Sequence, residues 1–173
     1  MKTLIAFYSR KGANYVSGDI VDLPIGNTEV AAGLIQKLTG GDLFQVDTVE
    51  PYPADYQRAT EVAQRELNQN ARPALTSRVE DMEAYDAVIL GYPNWWGTMP
   101  MAVWTFLESY DFSGKTILPF CTHEGSGLGH SERDIQKLCP GAKVVKGLAI
   151  KGSQVQRAGK DIEAWLRRTH LLD

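Results

Sequence analysis

Residues 3–28 read TLIAFYSRKGANYVSGDIVDLPIGNT and hold the start of a strand and of a helix. The apolar run Leu4–Tyr8 lacks alternation, which predicts a central strand covered on both faces. A helix is predicted to begin at Gly26-Asn27-Thr28. If the fifteen residues between the two halves loop out, Ser9 and Arg10 lie against the first turn of that helix. Free N–H groups and the helix dipole favour an anion there, so the stretch predicts a phosphate site interrupted by an insertion.

The insertion, Lys11–Ile25, has its own pattern. Two apolar pairs, Tyr15-Val16 and Ile20-Val21, flank the turn sequence Ser17-Gly18-Asp19. Short apolar runs around such a turn predict a small β-hairpin.

The rest of the chain alternates strands with helices. Apolar runs predict the further strands Asp42–Val49, Tyr85–Gly91, Thr116–Cys121 and Lys143–Ile150. The first helix is expected to end at Gly40-Gly41, and helical spacing of apolar residues predicts helices over Tyr56–Asn70, Met101–Tyr110, Ser131–Leu138 and Ser153–Arg168. This alternation predicts an α/β fold, a doubly wound parallel sheet with right-handed crossovers, in one domain over residues 1–173.

Composition narrows the class of protein. The net charge of −3 over 173 residues leaves no excess of cations for a nucleic-acid backbone. The start of the chain lacks the regions of a signal peptide, and no apolar run is long enough to span a bilayer. We therefore expect a cytoplasmic protein with no nucleic-acid or membrane partner. Cys121 and Cys139, without metal-ligand spacing, are expected to be ordinary reduced thiols.

Two loops at the carboxyl ends of strands are the main candidates for a binding site, because doubly wound sheets bind ligands at that edge. The first, Pro93-Asn94-Trp95-Trp96-Gly97, places two tryptophans where both cannot easily enter the core. A planar aromatic ligand explains this composition, and the alternative is that both rings fill space between loop and helix. The second, Thr122–Gly129, contains three glycines that permit close approach of backbone to a ligand.

Other chemistry has weaker support. His123 and Glu124 suit proton or hydride chemistry, although two polar loop residues are more often simply solvated. A metal site formed by His123 and His130 is disfavoured further. The patterns GxxxxGK[ST] and GxGxxG are both absent from the sequence, which disfavours ATP and NAD in their usual cradles.

Together these features resemble the flavodoxin family, specifically FMN proteins that carry Pro-x-Trp-Trp-Gly after the third strand. The resemblance covers nearly the whole chain and implies a flavodoxin-like three-layer α/β/α fold with a five-stranded parallel sheet of order 2-1-3-4-5. The family's phosphate loop, [ST]-x-T-G-x-T, is similar to Ser9-Arg10 followed after the insertion by Ile25-Gly26-Asn27-Thr28. Ile25 stands at a hydroxyl position of that pattern and removes one donor, while Arg10 or Lys11 can add charge-assisted bonds.

By this resemblance the cofactor is FMN. Trp95 or Trp96 would stack on the isoalloxazine ring, and Gly97 would supply a flexible peptide that responds to the flavin. The third loop would border the pyrimidine end, and because it lacks the aromatic residue of many relatives, Tyr15 is the candidate cover for the second ring face. The predicted cofactor-binding residues are Ser9, Arg10, Tyr15, Gly26, Asn27, Thr28, Pro93, Asn94, Trp95, Trp96, Gly97, Thr122, His123, Glu124 and Gly125.

The resemblance implies a redox protein that transfers electrons through bound FMN. One alternative is an NAD(P)H-dependent FMN oxidoreductase of the quinone reductase type, suggested by the missing third-loop aromatic. Another is a flavin-free binding module, suggested by Ile25 and the interrupted phosphate loop. The expected partners are a redox protein or a small-molecule acceptor, and the expected state is a monomer or a homodimer.

Overall fold

The computed structural model describes residues 2–173. The strands are β1 Thr3–Phe7, β2 Gly12–Val16, β3 Asp19–Leu23, β4 Asp42–Gln45, β5 Ala87–Pro93, β6 Thr116–His123, β7 Lys143–Val144 and β8 Leu148–Lys151. The α-helices are α1 Asn27–Thr39, α2 Tyr56–Asn68, α3 Met101–Glu108, α4 Ser131–Leu138 and α5 Gly159–Arg168. Two 3-10 helices span Met82–Ala84 and Gly152–Arg157.

The main sheet is parallel and runs in the order β4-β1-β5-β6, with β7 and β8 both paired to the far side of β6. If β7 and β8 are counted as one broken strand, this is the predicted order 2-1-3-4-5, and the flavodoxin-like fold class is confirmed.

The central strand β1 is buried on both faces, as its uninterrupted apolar sequence predicts. Leu4 and Ala6 pack into the core cluster on one side of the sheet, whereas Ile5 and Phe7 pack into the cluster on the other. Helices α3 and α4 contribute Phe106 and Ile135 to the first cluster. Helices α1 and α5 cover the opposite face, with Ile35, Ile162 and Trp165 buried there. The sheet therefore lies between two helical layers.

The prediction of one continuous strand over Lys143–Ile150 is wrong, because the chain leaves the sheet between β7 and β8. The cause lies in the neighbouring strand, where Pro119 has no backbone N–H to offer a ladder. Gly147 packs directly on that proline: a Cβ there would lie 2.9 Å from the Pro119 carbonyl oxygen. Its N–H instead donates to Glu132 Oε2 on α4 at 2.7 Å.

Two other predicted elements end early or change type. The strand predicted over Asp42–Val49 stops at Gln45, and Thr48 then pairs with Leu75 in an isolated antiparallel bridge. The helix predicted over Ser153–Arg168 begins as the 3-10 helix Gly152–Arg157 and becomes α-helical only at Gly159. In both segments the apolar residues keep their spacing although the backbone hydrogen-bond pattern changes within the segment.

The predicted hairpin is confirmed. β2 and β3 pair antiparallel and form a separate two-stranded sheet, in which Tyr15 stands opposite Ile20. The turn residues Ser17 and Gly18 have φ of 51° and 90°. Positive φ at both positions is the two-residue turn that matches the twist of a hairpin.

Cys121 and Cys139 are both buried and free, in agreement with the prediction of reduced thiols. No helix within residues 2–173 has the length and apolar character that crossing a membrane requires.

Gly91 in β5 offers a direct test of the packing at the centre of the sheet. A Cβ at this position would lie 2.0 Å from Cζ of the buried Phe120 ring, so Gly91→Ala must displace that ring. We expect a loss of about 1–3 kcal/mol in the free energy of unfolding, measured by chemical denaturation.

The matched control is Gly33→Ala in α1, where a Cβ meets nothing within 4 Å. It should raise the free energy of unfolding by about 0.5–1 kcal/mol, because alanine favours the helix interior. Equal stability of the Gly91→Ala variant and the wild type would contradict the close packing of the Phe120 ring on Gly91.

Candidate functional site

The end of β1 lies directly against the start of α1. Ser9 Oγ accepts a hydrogen bond from the Glu29 N–H at 3.1 Å. Gly26 allows this approach, since a Cβ there would lie 2.2 Å from Ser9 Oγ and 2.5 Å from the Arg10 carbonyl oxygen. The hairpin insertion therefore leaves the two halves of the predicted anion site in contact.

The first turn of α1 keeps free donors. Within residues 2–173, no acceptor is found for the backbone N–H of Asn27 or Thr28. The Thr28 hydroxyl is buried and shares a hydrogen bond of 2.8 Å with the Thr122 hydroxyl at the end of β6. Two unsatisfied N–H groups at the positive end of a helix dipole favour a bound anion.

A cavity of about 430 Å³ opens beside this helix end. This volume is within the usual range for small-molecule sites. Its walls come from the hairpin, α1, α2 and the loops after β5 and β6, and its lining residues are Arg10, Asn14, Tyr15, Asn27, Thr28, Tyr56, Ala59, Thr60, Ala63, Pro93, Asn94, Trp95, Trp96, Thr122, His123, Glu124, Ser126 and Gly152.

The tryptophan loop after β5 closes in a tight turn. Trp95 and Thr98 form an antiparallel bridge, with backbone hydrogen bonds of 2.9 and 3.3 Å. Trp96 and Gly97 occupy the two central positions with φ of 57° and 88°. Positive φ is uncommon for a bulky residue such as tryptophan, so this turn is strained and must be held by its surroundings.

The start of α4 supplies that support. The His130 N–H donates to the Gly97 carbonyl oxygen at 2.8 Å, and Asn94 Oδ1 accepts the Gly97 N–H at 2.9 Å. Asp134 Oδ2 accepts from the Thr98 hydroxyl at 2.6 Å and lies 2.8 Å from His130 Nδ1. The peptides on both sides of Gly97 are therefore hydrogen bonded.

Two tyrosines pack against the ring of Trp95. Its ring makes edge-to-face contacts with Tyr8 and Tyr52, at centroid distances of 5.3 and 5.1 Å. The Tyr52 hydroxyl donates to Glu66 Oε1 at 2.5 Å. Burial raises the pKa of Glu66, and the bond from Tyr52 partly offsets this effect. This cluster fixes the plane of the Trp95 ring at the cavity wall.

Trp96 is the exposed member of the pair, with half of its surface accessible to solvent. Its indole N–H donates to the Thr60 carbonyl oxygen of α2 at 3.0 Å. Ala59 and Ala63 of the same helix also line the cavity and leave room beside the aromatic rings. The loop and α2 together make an apolar wall.

Arg10 and the hairpin form the side of the cavity next to the start of α2. Arg10 Nε donates to the Ala13 carbonyl oxygen at 2.9 Å, and Nη2 donates to the Pro53 and Ala54 carbonyl oxygens at 3.0 and 3.1 Å. These bonds fix the base of the hairpin and place a positive charge at the cavity. Tyr15 lines the cavity from the hairpin and is 45% exposed.

The loop after β6 brings polar groups to the cavity. His123 Nδ1 accepts the Gly125 N–H at 2.9 Å, which requires an unprotonated Nδ1. Burial lowers the pKa of His123, the Glu124 carboxylate raises it in part, and Lys151 lowers it further. Glu124 Oε2 accepts a long bond of 3.5 Å from the Ser17 N–H at the hairpin tip.

The comparisons with known proteins agree with this architecture. Residues 23–169 match the family model described as flavodoxin. The chain belongs to the flavodoxin family.

Among its flavodoxin relatives, Flavodoxin 1 of Escherichia coli K12 is 26% identical over 137 residues, covering 77% of this chain and 60% of the relative. The match thus spans about three fifths of that protein's length. A crystal structure from Bacteroides eggerthii, of a protein assigned as a flavoprotein, is 30% identical over 96% of both chains with a TM-score of 0.76. The Lactobacillus acidophilus flavoprotein in complex with FMN is 23% identical over 90% of this chain and 97% of its own, with a TM-score of 0.65. At that identity the likeness concerns the fold alone.

Most predicted site residues of this flavodoxin are brought together at the cavity. Eleven of them line it: Arg10, Tyr15, Asn27, Thr28, Pro93, Asn94, Trp95, Trp96, Thr122, His123 and Glu124. Ser9, Gly26, Gly97 and Gly125 are not lining residues, but each is hydrogen bonded to or packed against a neighbouring segment of the site. Ile25 is 52% exposed and lies outside the lining.

The sequence reasoning missed one whole wall. Tyr56, Ala59, Thr60 and Ala63 of α2 line the cavity, as do Asn14, Ser126 and Gly152. The helical spacing of Tyr56, Ala59 and Ala63 predicted a surface helix with an apolar stripe, but such a stripe looks the same whether it faces a core or a cavity.

The depressed pKa of His123 predicts a pH effect on the loop after β6. The neutral ring accepts the Gly125 N–H, so its contribution to stability is complete above the unfolded-state pKa of about 6.5. It is lost as pH falls through the lower pKa of the folded state. The contribution of His123 to the free energy of unfolding should therefore decline as pH falls from 7.5 to 5, and NMR titration of its ring should give a pKa below 6.5.

His123→Asn keeps an acceptor at the same place without titrating, so its unfolding free energy should fall less over this range. The wild type and this variant differ only at residue 123, so the difference between their pH profiles reports on this ring alone. An ordinary or raised pKa for His123 would show that burial does not govern this ring.

Proposed function

We propose that the protein binds FMN in this cavity and transfers electrons through it. The observation that carries the proposal is that one cavity joins a helix N-terminus with free N–H donors to a wall of two tryptophans. A phosphorylated planar cofactor needs these two features. The FMN complex of the Lactobacillus flavoprotein supports the same cofactor for this fold.

The chain offers a fitting set of groups for the phosphate. The N–H groups of Asn27 and Thr28 are free to donate, and the helix dipole adds a favourable field. Arg10 adds a positive charge at the cavity, and within residues 2–173 no carboxylate forms an ion pair with it. A phosphate monoester would gain charge-assisted hydrogen bonds at this end.

The ring end is equally well formed. Trp96 has a large exposed apolar surface that a bound planar ring would cover, and Trp95 is held rigidly by its tyrosine contacts. Burying such surface stabilises a complex. Because the rings are held before binding, little conformational entropy is lost.

Bound FMN supplies the redox chemistry, since the flavin can exchange electrons with a donor and an acceptor. The residues of the chain bind its phosphate, orient its ring and exclude water from one side of it. A redox partner protein or a small-molecule acceptor is the proposed partner, and the proposed state is a monomer or homodimer.

FMN binding provides the first test. The wild type should take up one FMN per chain, measured by quenching of flavin fluorescence. Trp96→Ala should weaken binding by about 1–3 kcal/mol if its ring stacks on the flavin, by analogy with base stacking on aromatic residues. Ile20→Ala is the control: Ile20 is 53% exposed on the hairpin but lies outside the cavity lining, so affinity should not change.

Failure of the wild type to bind FMN at micromolar concentration would refute the proposed function and favour the flavin-free binding module. Wild-type affinity in the Trp96→Ala variant would instead place the stacking contact at Trp95.

A second candidate function is an NAD(P)H-dependent FMN oxidoreductase of the quinone reductase type. The observation that favours it is the loop after β6, which contributes Thr122, His123, Glu124 and Ser126 to the cavity and no aromatic side chain. The loop itself therefore leaves space for a planar substrate beside the flavin, next to Tyr15 of the hairpin.

Oxidation of NADH or NADPH with a quinone acceptor tests this alternative. An oxidoreductase should accelerate the reaction at least tenfold over free FMN at equal concentration, whereas an electron carrier should give the rate of free FMN. The absorbance of the nicotinamide at steady state measures both.

A further inference from the structure

The cavity contains one buried acceptor that the protein leaves without a partner. Within residues 2–173, Glu124 Oε1 is fully buried and accepts no hydrogen bond. Such an atom has lost its contacts with water without replacing them, which is costly for a carboxylate. The arrangement is explained if a ligand brings a donor to this place.

The position of Glu124 within the cavity narrows the kind of donor. Glu124 Oε1 and Asn27 Nδ2 lie 2.8 and 2.5 Å from the point where a Cβ on Gly152 would stand. The carboxylate is therefore beside the first turn of α1, the proposed phosphate end, and Gly152 leaves the space that both side chains use. The earlier expectation from resemblance placed Glu124 at the pyrimidine end of the ring.

The other carboxylate oxygen is only loosely held. Its bond from the Ser17 N–H is 3.5 Å long, near the limit of a hydrogen bond. The last torsion of a glutamate is broad and roughly two-fold. Rotation about this torsion can therefore bring either carboxylate oxygen toward a donor on a ligand in the cavity.

A carboxylate repels a phosphate and attracts a hydroxyl group. In FMN, hydroxyl groups are carried by the ribityl chain between the phosphate and the ring. We propose that Glu124 is a specificity residue that accepts a hydrogen bond from a ribityl hydroxyl of the bound flavin. This inference rests on the proposed function, because it assumes a flavin in the cavity.

Three flavins of increasing size distinguish contacts with the ring, the ribityl chain and the phosphate. Lumiflavin has the ring alone, riboflavin adds the ribityl chain, and FMN adds the phosphate. In the wild type, riboflavin should bind more tightly than lumiflavin, with affinities measured by fluorescence quenching or by competition with FMN. Glu124→Ala should weaken riboflavin about tenfold or more, the usual effect of losing a hydrogen bond to a charged group, and leave lumiflavin unchanged.

Two variants complete the design. Glu124→Gln keeps an acceptor oxygen and should recover part of the riboflavin affinity. Glu29→Gln removes a negative charge from the same end of α1 at an exposed position outside the cavity, and should leave riboflavin binding unchanged. The ligand-free Glu124→Ala protein should be at least as stable as the wild type, because an unpartnered buried carboxylate oxygen is removed.

The possible results separate the two proposals. If the wild type binds none of the three flavins, the proposed function and this inference both fail. If it binds FMN but the Glu124→Ala variant retains riboflavin affinity, or loses lumiflavin affinity equally, only this inference fails. Riboflavin binding no tighter than lumiflavin in the wild type would also overturn it, because the ribityl chain would then contribute nothing.

Discussion

The hydrogen bond between the Glu29 N–H and Ser9 Oγ closes an excursion of 20 residues and keeps the start of α1 at the end of β1. Closing a loop of this length costs little more entropy than closing a short one, because the cost grows only logarithmically with length. Gly26 makes the contact possible by removing the side chain that would collide with Ser9. The position of the free N–H groups of α1 beside the cavity depends on this junction.

Each element of the fold could be predicted only as far as its own sequence pattern determines its structure. Uninterrupted apolar runs such as Leu4–Tyr8 identify strands buried on both faces, because few other environments need them. The break between β7 and β8 could not be seen in its own sequence, since it follows from Pro119 in the adjacent strand. The order of the strands came from the family resemblance rather than from the patterns themselves.

Site residues could be predicted from the sequence where they directly follow the ends of strands. They could not be predicted where only the packing of a distant element brings them to the cavity. The Pro93–Gly97 loop stands out by composition, and the structure places its tryptophans at the cavity. The stripe of α2 gave no sign that it faces a cavity. Trp96 at φ 57° is likewise invisible in sequence: strain of this kind costs on the order of 1–3 kcal/mol and persists because surrounding contacts over-determine the turn. Here those contacts come from Asn94 and from the start of α4.

Within residues 2–173, the two strands of the hairpin pair only with each other and form no backbone ladder with the main sheet. Its strands therefore carry no part of the register that holds the core, and its base is fixed by the side chain of Arg10. As a structural unit it is an insertion between the end of β1 and the start of α1, and hairpins of other lengths and sequences could replace it between the same two ends. The entrance to the cavity could thus be remodelled without altering the fold beneath it.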